Sequence, residues 1–355
     1  MIDAVKHAEL LAGYCLDVQP GEEVVVHAGL GAAPLLVALQ RAILDRGGWP
    51  HLRVGLPGTD EAFWAAAQDH HLDGFAPLDR LEAETTAASI RVISPENATA
   101  LAGVDPERMT RAARARDVIR EAGLDRRWNV TLWPVPALAQ QAGVGTTAFT
   151  DLVARALFLD QPDPVAAWRA LSERQARLVE RLTPAREIRI QAPGTDITLQ
   201  VEGRTWVNSD GRRNMPSGEV FTGPHEDSAT GTIAFTVPSI RNGVDVAGVV
   251  LRFEDGVVVD ASAERGEALL HASLDADPGA RRLGELGIGT NTGITAPTGM
   301  LLLDEKIGGT VHLALGRSYP ETGGTNLSAI HWDLVCDLRT GGTLTADGER
   351  VDPLG

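Results

Sequence analysis

The feature that most constrains how this chain folds is a change of texture near Thr183-Pro184. Before it, short β-branched runs alternate with helical stretches; after it, alternating strands joined by tight turns take over. Glu23-Val-Val-Val-His27 reads as a buried strand, followed by a helix that opens around Gly29-Leu-Gly-Ala-Ala-Pro-Leu35 and ends near Gly47-Gly48. The unit repeats with a strand at Leu52–Gly55, a helix from Asp60 to about Gln68, a strand at Ile90–Ile93, a helix over Pro106–Glu121 and a strand at Asn129–Leu132. Strands that alternate with helices predict a parallel sheet covered on both faces. Ahead of them, Val5, Ala8, Leu11 and Cys15 recur at helical spacing, and Asp151–Leu159 and Pro164–Leu182 read as two further helices.

Beyond the boundary, Glu187–Val201 alternates around Pro193-Gly194 and reads as a hairpin. Val249–Asp260 is a second, with Asp255-Gly256 supplying the positive φ of its turn. Only Glu264–Leu274 looks helical before the closing strands. A chain of 355 residues is long enough for two domains at about 150 residues each. The expected architecture is an α/β domain with a parallel sheet over residues 1–184, followed by a β-rich α+β domain over 185–355.

Charge and cysteine usage narrow the function. Lys and Arg total 32 against 48 Asp and Glu, a net −16. Up to Arg186 there are 19 basic and 24 acidic residues, and beyond it 13 and 24, so most of the excess lies in the second half. Such a chain repels polyanions, which argues against nucleic acid and anionic membrane as partners. The acidic half itself fits either a solvated surface or a cation site. Cys15 and Cys336 are too few for a disulfide framework or a Cys-rich zinc site and read as buried thiols. No basic stretch followed by an apolar one opens the chain, and no apolar run reaches the roughly 18 residues of a membrane span, so a soluble, cytoplasmic protein is expected. Gly29-x-Gly31 lacks the third glycine and the ribose-binding acid of a dinucleotide fingerprint and reads as a tight turn.

Two of the nine histidines have chemically useful company. Ile330-His331-Trp332-Asp333 lies in a strand-like run, and side chains at i and i+2 of a strand share a face. His331 and Asp333 would then project side by side, as a pair of metal ligands or as a histidine bonded to its neighbouring acid. His312 sits in Gly308-Gly-Thr-Val-His-Leu-Ala-Leu-Gly316, a second strand with glycines at both ends, followed by Tyr319. Glu219 and Glu285 fall in Gly- or Pro-containing stretches read as loops, where they could join the histidines or merely cap backbone amides. Lys306, one of only two lysines, stands between Asp304-Glu305 and Gly308-Gly309. Its flexible ammonium could meet a substrate carboxylate or carbonyl, or pair with a neighbouring acid. His225, in the loop Thr222–Asp227, reads as a solvated loop histidine.

Four extended motifs together resemble the thermophilic metallo-aminopeptidases, the aminopeptidase T or M29 peptidase family. They are Asn214-Met-Pro-Ser-Gly-Glu-Val-Phe221, Gly284-Glu-Leu-Gly-Ile-Gly-Thr-Asn291, Asp304-Glu-Lys-Ile-Gly-Gly-Thr-Val-His-Leu-Ala-Leu-Gly316 and Ser328-Ala-Ile-His-Trp-Asp333, in family order with Tyr319 between the last two. The resemblance is strong over roughly residues 185–350 and thinner before that. It implies a homodimer and a site for two divalent ions held by Glu219, Glu285, His312, Tyr319, His331 and Asp333. Within that set Glu219, Glu285 and Tyr319 are the expected catalytic residues, and Lys306, on the reading of its own surroundings, is the expected substrate contact. Carboxylates and imidazoles without thiolate suit Zn²⁺, Co²⁺ or Mn²⁺. The expected function is metal-dependent removal of N-terminal residues from peptides through a metal-activated water.

Three alternatives follow from the same residues. A specialised amide hydrolase of small-molecule metabolism would use the same site with different pocket walls. Ring-cleaving dioxygenases of the dihydroxypyridine type are similar to this family and hold one Fe(II) through two histidines and a carboxylate, which His312, His331 and Asp333 could supply. A non-catalytic scaffold with a structural metal is the third.

Overall fold

A computed structural model of the protein describes residues 2–124, 126–241 and 243–354. The chain forms two compact units, Met1–Val165 with Gly211–Met215, and Ala166–Asp210 with Pro216–Gly355. In the first, parallel strands lie in the order Trp49–Gly55, Glu23–Gly29, Ala88–Ile93, Arg127–Leu132 and Asn214–Met215. The helix Ala33–Asp45 turns Leu35, Leu36, Leu39 and Ile43 inward, the face expected at helical period. Gly29 and Gly31 are explained by close packing, which fits the tight-turn reading. A Cβ at Gly29 would lie 2.6 Å from the Ser94 carbonyl oxygen, and one at Gly31 would lie 2.9 Å from Val135. Cys15 and Cys336 are buried thiols, as expected.

Three local readings need correction. The first helix passes from an α-helix at Ala4–Glu9 into a π-helix at Leu10–Cys15. The wider turns rotate the stripe, so Val5 is exposed while His7, Ala8, Leu11, Ala12 and Cys15 are buried. The stretch read as one helix over 106–121 is two, Pro106–Ala115 and Asp117–Leu124, parted at Arg116. The sheet is also not closed on both faces. Helices Thr59–Ala66 and Pro77–Thr85 bury no side chain, and a cleft of about 1590 Å³ runs past His27, Arg53, Glu82 and Arg91.

The second unit is built mainly from two large antiparallel sheets, with a small two-stranded one, Ser239–Arg241 with Val244–Val246, beside them. One has seven strands and contains both expected hairpins, Glu187–Ala192 with Thr195–Gln200 and Val250–Glu254 with Val257–Ser262. Asp255 and Gly256 have φ of 47° and 78°, as a tight hairpin turn requires. The other sheet runs His331–Asp337, Thr310–Gly316, Leu283–Gly289, Glu219–Thr222, Val207–Ser209. Ile188, Ile197, Leu251 and Phe253 of the first sheet and Val220, Leu286, Leu313 and Trp332 of the second share one core, closed by Leu178 and Leu182 of the helix Pro164–Leu182. Among the described residues, no helix is long and apolar enough to cross a membrane.

Candidate metal centre

The five-stranded sheet sorts its side chains by alternation. Trp332, Leu334 and Cys336 of one strand, and Val311, Leu313 and Leu315 of the next, enter the core. Their alternates face the other way. Asp333 pairs with Ala314, Ala314 with Glu285, Gly287 with His312 and Gly289 with Glu219. Paired residues share a face, so His331, Asp333, His312, Glu285 and Glu219 converge from four neighbouring strands. A bulge between Leu283 and Glu285 sends Leu283 into the core while leaving Glu285 on the polar face.

Glu219 and Glu285 therefore lie in strands, not in loops as their glycine-rich surroundings suggested. The glycines mark close approach. A Cβ at Gly287 would sit 2.0 Å from His312 Nε2, and one at Gly284 would sit 2.2 Å from the Arg317 carbonyl oxygen.

Two groups of donors overlap at Glu285. Glu219, Glu285 and His312 offer atoms within 4.8 Å of one another, and so do Glu285, His331 and Asp333. Glu285 Oε1 lies 3.2 Å from His312 Nε2 and its Oε2 3.5 Å from His331 Nε2, one oxygen toward each imidazole. His331 Nε2 is also 3.5 Å from Asp333 Oδ2. Its Nδ1 donates to the Arg317 carbonyl at 2.8 Å, which fixes the ring with Nε2 toward the carboxylates. Tyr319 begins a short 3₁₀ turn, its ring centre 4.9 Å from that of His331 and 5.8 Å from that of Phe221.

Lys306 is 0% exposed. Its Nζ is 2.8 Å from Glu219 Oε1 and also bonds Glu305. His225 lies in its loop bonded to the Glu202 carbonyl at 2.9 Å. Beside Asp333 a hollow of about 10 Å³, room for about one water, is walled by apolar Val237, Ile240 and Leu301 and polar Ser239 and Asp304.

The electrostatics are those of crowded carboxylates. Burial alone would lower the His312 imidazole, yet its bond to Glu285 and the charges of Glu219, Glu285 and Asp333 carry it up to about 9. Burial likewise opposes His331, and Asp333 and Glu285 outweigh it, to about 10. Burial and the neighbouring acids push Glu285 up. Burial would raise Asp333 too, but His331 holds it well below the usual carboxylate range. Burial, with Glu285 and Asp333, keeps the Tyr319 phenol well above its ordinary value. Without a cation, the site thus collects protons on its imidazoles to offset its acids.

The donor set fits a divalent metal. Glu219 Oε2 is buried beside His312 Nε2 without a hydrogen-bond partner among the described residues, and nitrogen and oxygen donors are what such ions take.

Several supporting residues carried no sequence signal. Gln175, buried in the helix Pro164–Leu182, donates to the Glu219 carbonyl and to that of Ser209 at 3.2 Å. Asn291 Nδ2 donates to the Ser217 carbonyl at 2.8 Å. Arg204, nearly buried, pairs with Glu226 at 2.7 Å and bonds the Gly323 carbonyl, while Glu226 accepts from Thr325 N at 2.6 Å. These bonds secure the turn that begins at Tyr319. They join residues far apart in the chain, so only a signal linking distant positions could have found them.

The family model described as thermophilic metalloprotease (M29) matches residues 3–352. This chain belongs to that family. Aminopeptidase 2 of Geobacillus stearothermophilus is 33% identical, with 97% of this chain and 94% of that protein covered. The solved structure of wild-type AmpT from Thermus thermophilus superposes with a TM-score of 0.83 at 27% identity, covering 98% and 96% of the two chains. A 2,5-dihydroxypyridine dioxygenase from Pseudomonas putida KT2440 shares the fold, with a TM-score of 0.61 at 15% identity and 99% and 96% coverage. As a member of the M29 family the protein is a hydrolase of the metallopeptidase class, and family membership implies a divalent metal.

Proposed function

We propose that the protein is an aminopeptidase whose site holds two divalent ions, with Glu285 between them. The observation that carries this reading is that Glu285 belongs to both donor groups and presents one oxygen to each. Glu219 and His312 complete one position, His331 and Asp333 the other, and Tyr319 stands beside the second. Ions held there would activate a water for attack and polarise the amide carbonyl. The acids of the cluster draw in the free α-ammonium of a peptide, which favours cleavage at the N-terminal bond. The Tyr319 hydroxyl, beside His331, would donate a hydrogen bond to the oxyanion that forms as the carbonyl is attacked. The family resemblance also supports a homodimer, readable by sedimentation velocity.

Metal-stripped protein should be inactive on amino-acyl p-nitroanilides and short peptides. Activity should return with Co²⁺, Zn²⁺ or Mn²⁺ at two ions per chain, and N-acetylated peptides should resist cleavage. A single iron per chain with oxygen uptake, or no cleavage across a broad panel, would sink the proposal.

A further inference from the structure

Lys306 and Glu305 form a buried charged pair directly behind Glu219. Lys306 is fully buried, and the Glu305 side chain retains only 12% exposure. The ammonium reaches Glu219 through Oε1 at 2.8 Å. The other oxygen, Oε2, lies 3.3 Å from His312 Nε2 and has no hydrogen-bond partner among the described residues. Burying an ion pair costs several kcal/mol per charge, and similar-sized apolar residues would often serve stability as well or better. The pair therefore points to a task that needs charge at this place.

We propose that Lys306 and Glu305 are positioning residues that make Glu219 act through Oε2 alone. The ammonium occupies Oε1 and sets the plane of the carboxylate, so a cation beside His312 meets one oxygen of Glu219 instead of both. A lone ammonium there would repel that cation. When ionised, Glu305 cancels its charge, so Lys306 then orients Glu219 without raising the local potential. With 0% exposure and carboxylates at its ammonium, Lys306 acts on Glu219 and not on the substrate. This inference rests on the metal-site reading proposed above.

The test uses full-length, metal-stripped protein titrated with Co²⁺ by calorimetry and by visible absorption, so no turnover is needed. Glu305→Gln keeps shape and removes charge. It should weaken one of the two Co²⁺ steps about tenfold, the scale of a lost supporting contact at a metal ligand, and leave the other step unchanged. Lys306→Met should free Oε1 to bind as well, giving a weaker absorption band as cobalt gains a ligand. Lys306→Arg should retain most of the wild-type spectrum. Wild-type Co²⁺ affinities and spectra in both Glu305→Gln and Lys306→Met would overturn the proposal, as would a rise in KM with metal binding intact, which would mark Lys306 as a substrate contact. Should Lys306→Met fail to fold, Glu305→Gln alone decides. Failure of the wild-type chain to bind two ions would instead count against the metal-site reading itself.

Discussion

At the scale of single residues, burial decides what an ionisable group does. His7 is an instance outside the site. It is fully buried, its Nε2 3.0 Å from the Thr131 hydroxyl, and its ring stacks at 6.2 Å on Trp133. Burial lowers its pKa from 6.5 to about 3, so the folded protein holds it neutral while an unfolded chain would protonate it below 6.5. Its stabilising effect is therefore complete above 6.5 and is lost as pH falls toward 3. Near pH 5 the loss should be about 2 kcal/mol, seen as a lower urea midpoint than at neutral pH. The His7→Leu protein should show a flatter midpoint between those pH values, and an unchanged slope would refute this account. Sequence could not foretell it, because His7 lies off the stripe that regular helical spacing predicts. The π-helix that follows shifts which side chains face inward.

At the scale of elements, alternation within strands made part of the site legible. His331 and Asp333 were expected side by side, and the strand His331–Asp337 places them so. Glu285 was harder, since glycine at Gly284, Gly287 and Gly289 reads as a loop until the neighbouring strand is known. Gly287 pairs with His312 and leaves room for its ring. Gly287→Ala would force a methyl to within 2.0 Å of His312 Nε2, so the imidazole must move. Misplacing a functional group by about 1 Å commonly costs on the order of 100-fold, and kcat/KM should fall by about that much while the fold persists by circular dichroism. An active variant with unaltered metal content would show that the ring has room elsewhere. The helices of the first unit were placed less well. Short amphipathic pieces such as Pro77–Thr85 bury nothing, so their hydrophobic pattern carries little information about where they end.

At the scale of the whole molecule, the acidic excess of the second half pointed to the part of the chain that holds every proposed ligand. It could not say which acids matter: of 24 beyond residue 186, most serve solvent or exposed pairs such as Arg189 with Asp196. Since all the donors lie in the second unit, Co²⁺ at about 100 times its Kd should stabilise that unit by roughly 2.7 kcal/mol for each ion bound. Hydrogen exchange should then slow more in Leu283–Gly289, Thr310–Gly316 and His331–Asp337 than in the parallel strands of the first unit. Equal slowing in both would contradict a site confined to one unit. By itself the sequence determined the α/β-then-β order of elements, the two hairpins and the motifs that mark the family, because periodicity, turn chemistry and ordered motifs are local properties. Only the tertiary structure decided that Glu285 faces both imidazoles, that Lys306 turns to Glu219 and Glu305, and that Gln175 and Arg204 brace the site. Those contacts depend on strand register and a bulge, which bring together residues separated by tens to more than a hundred positions, and no local pattern encodes them.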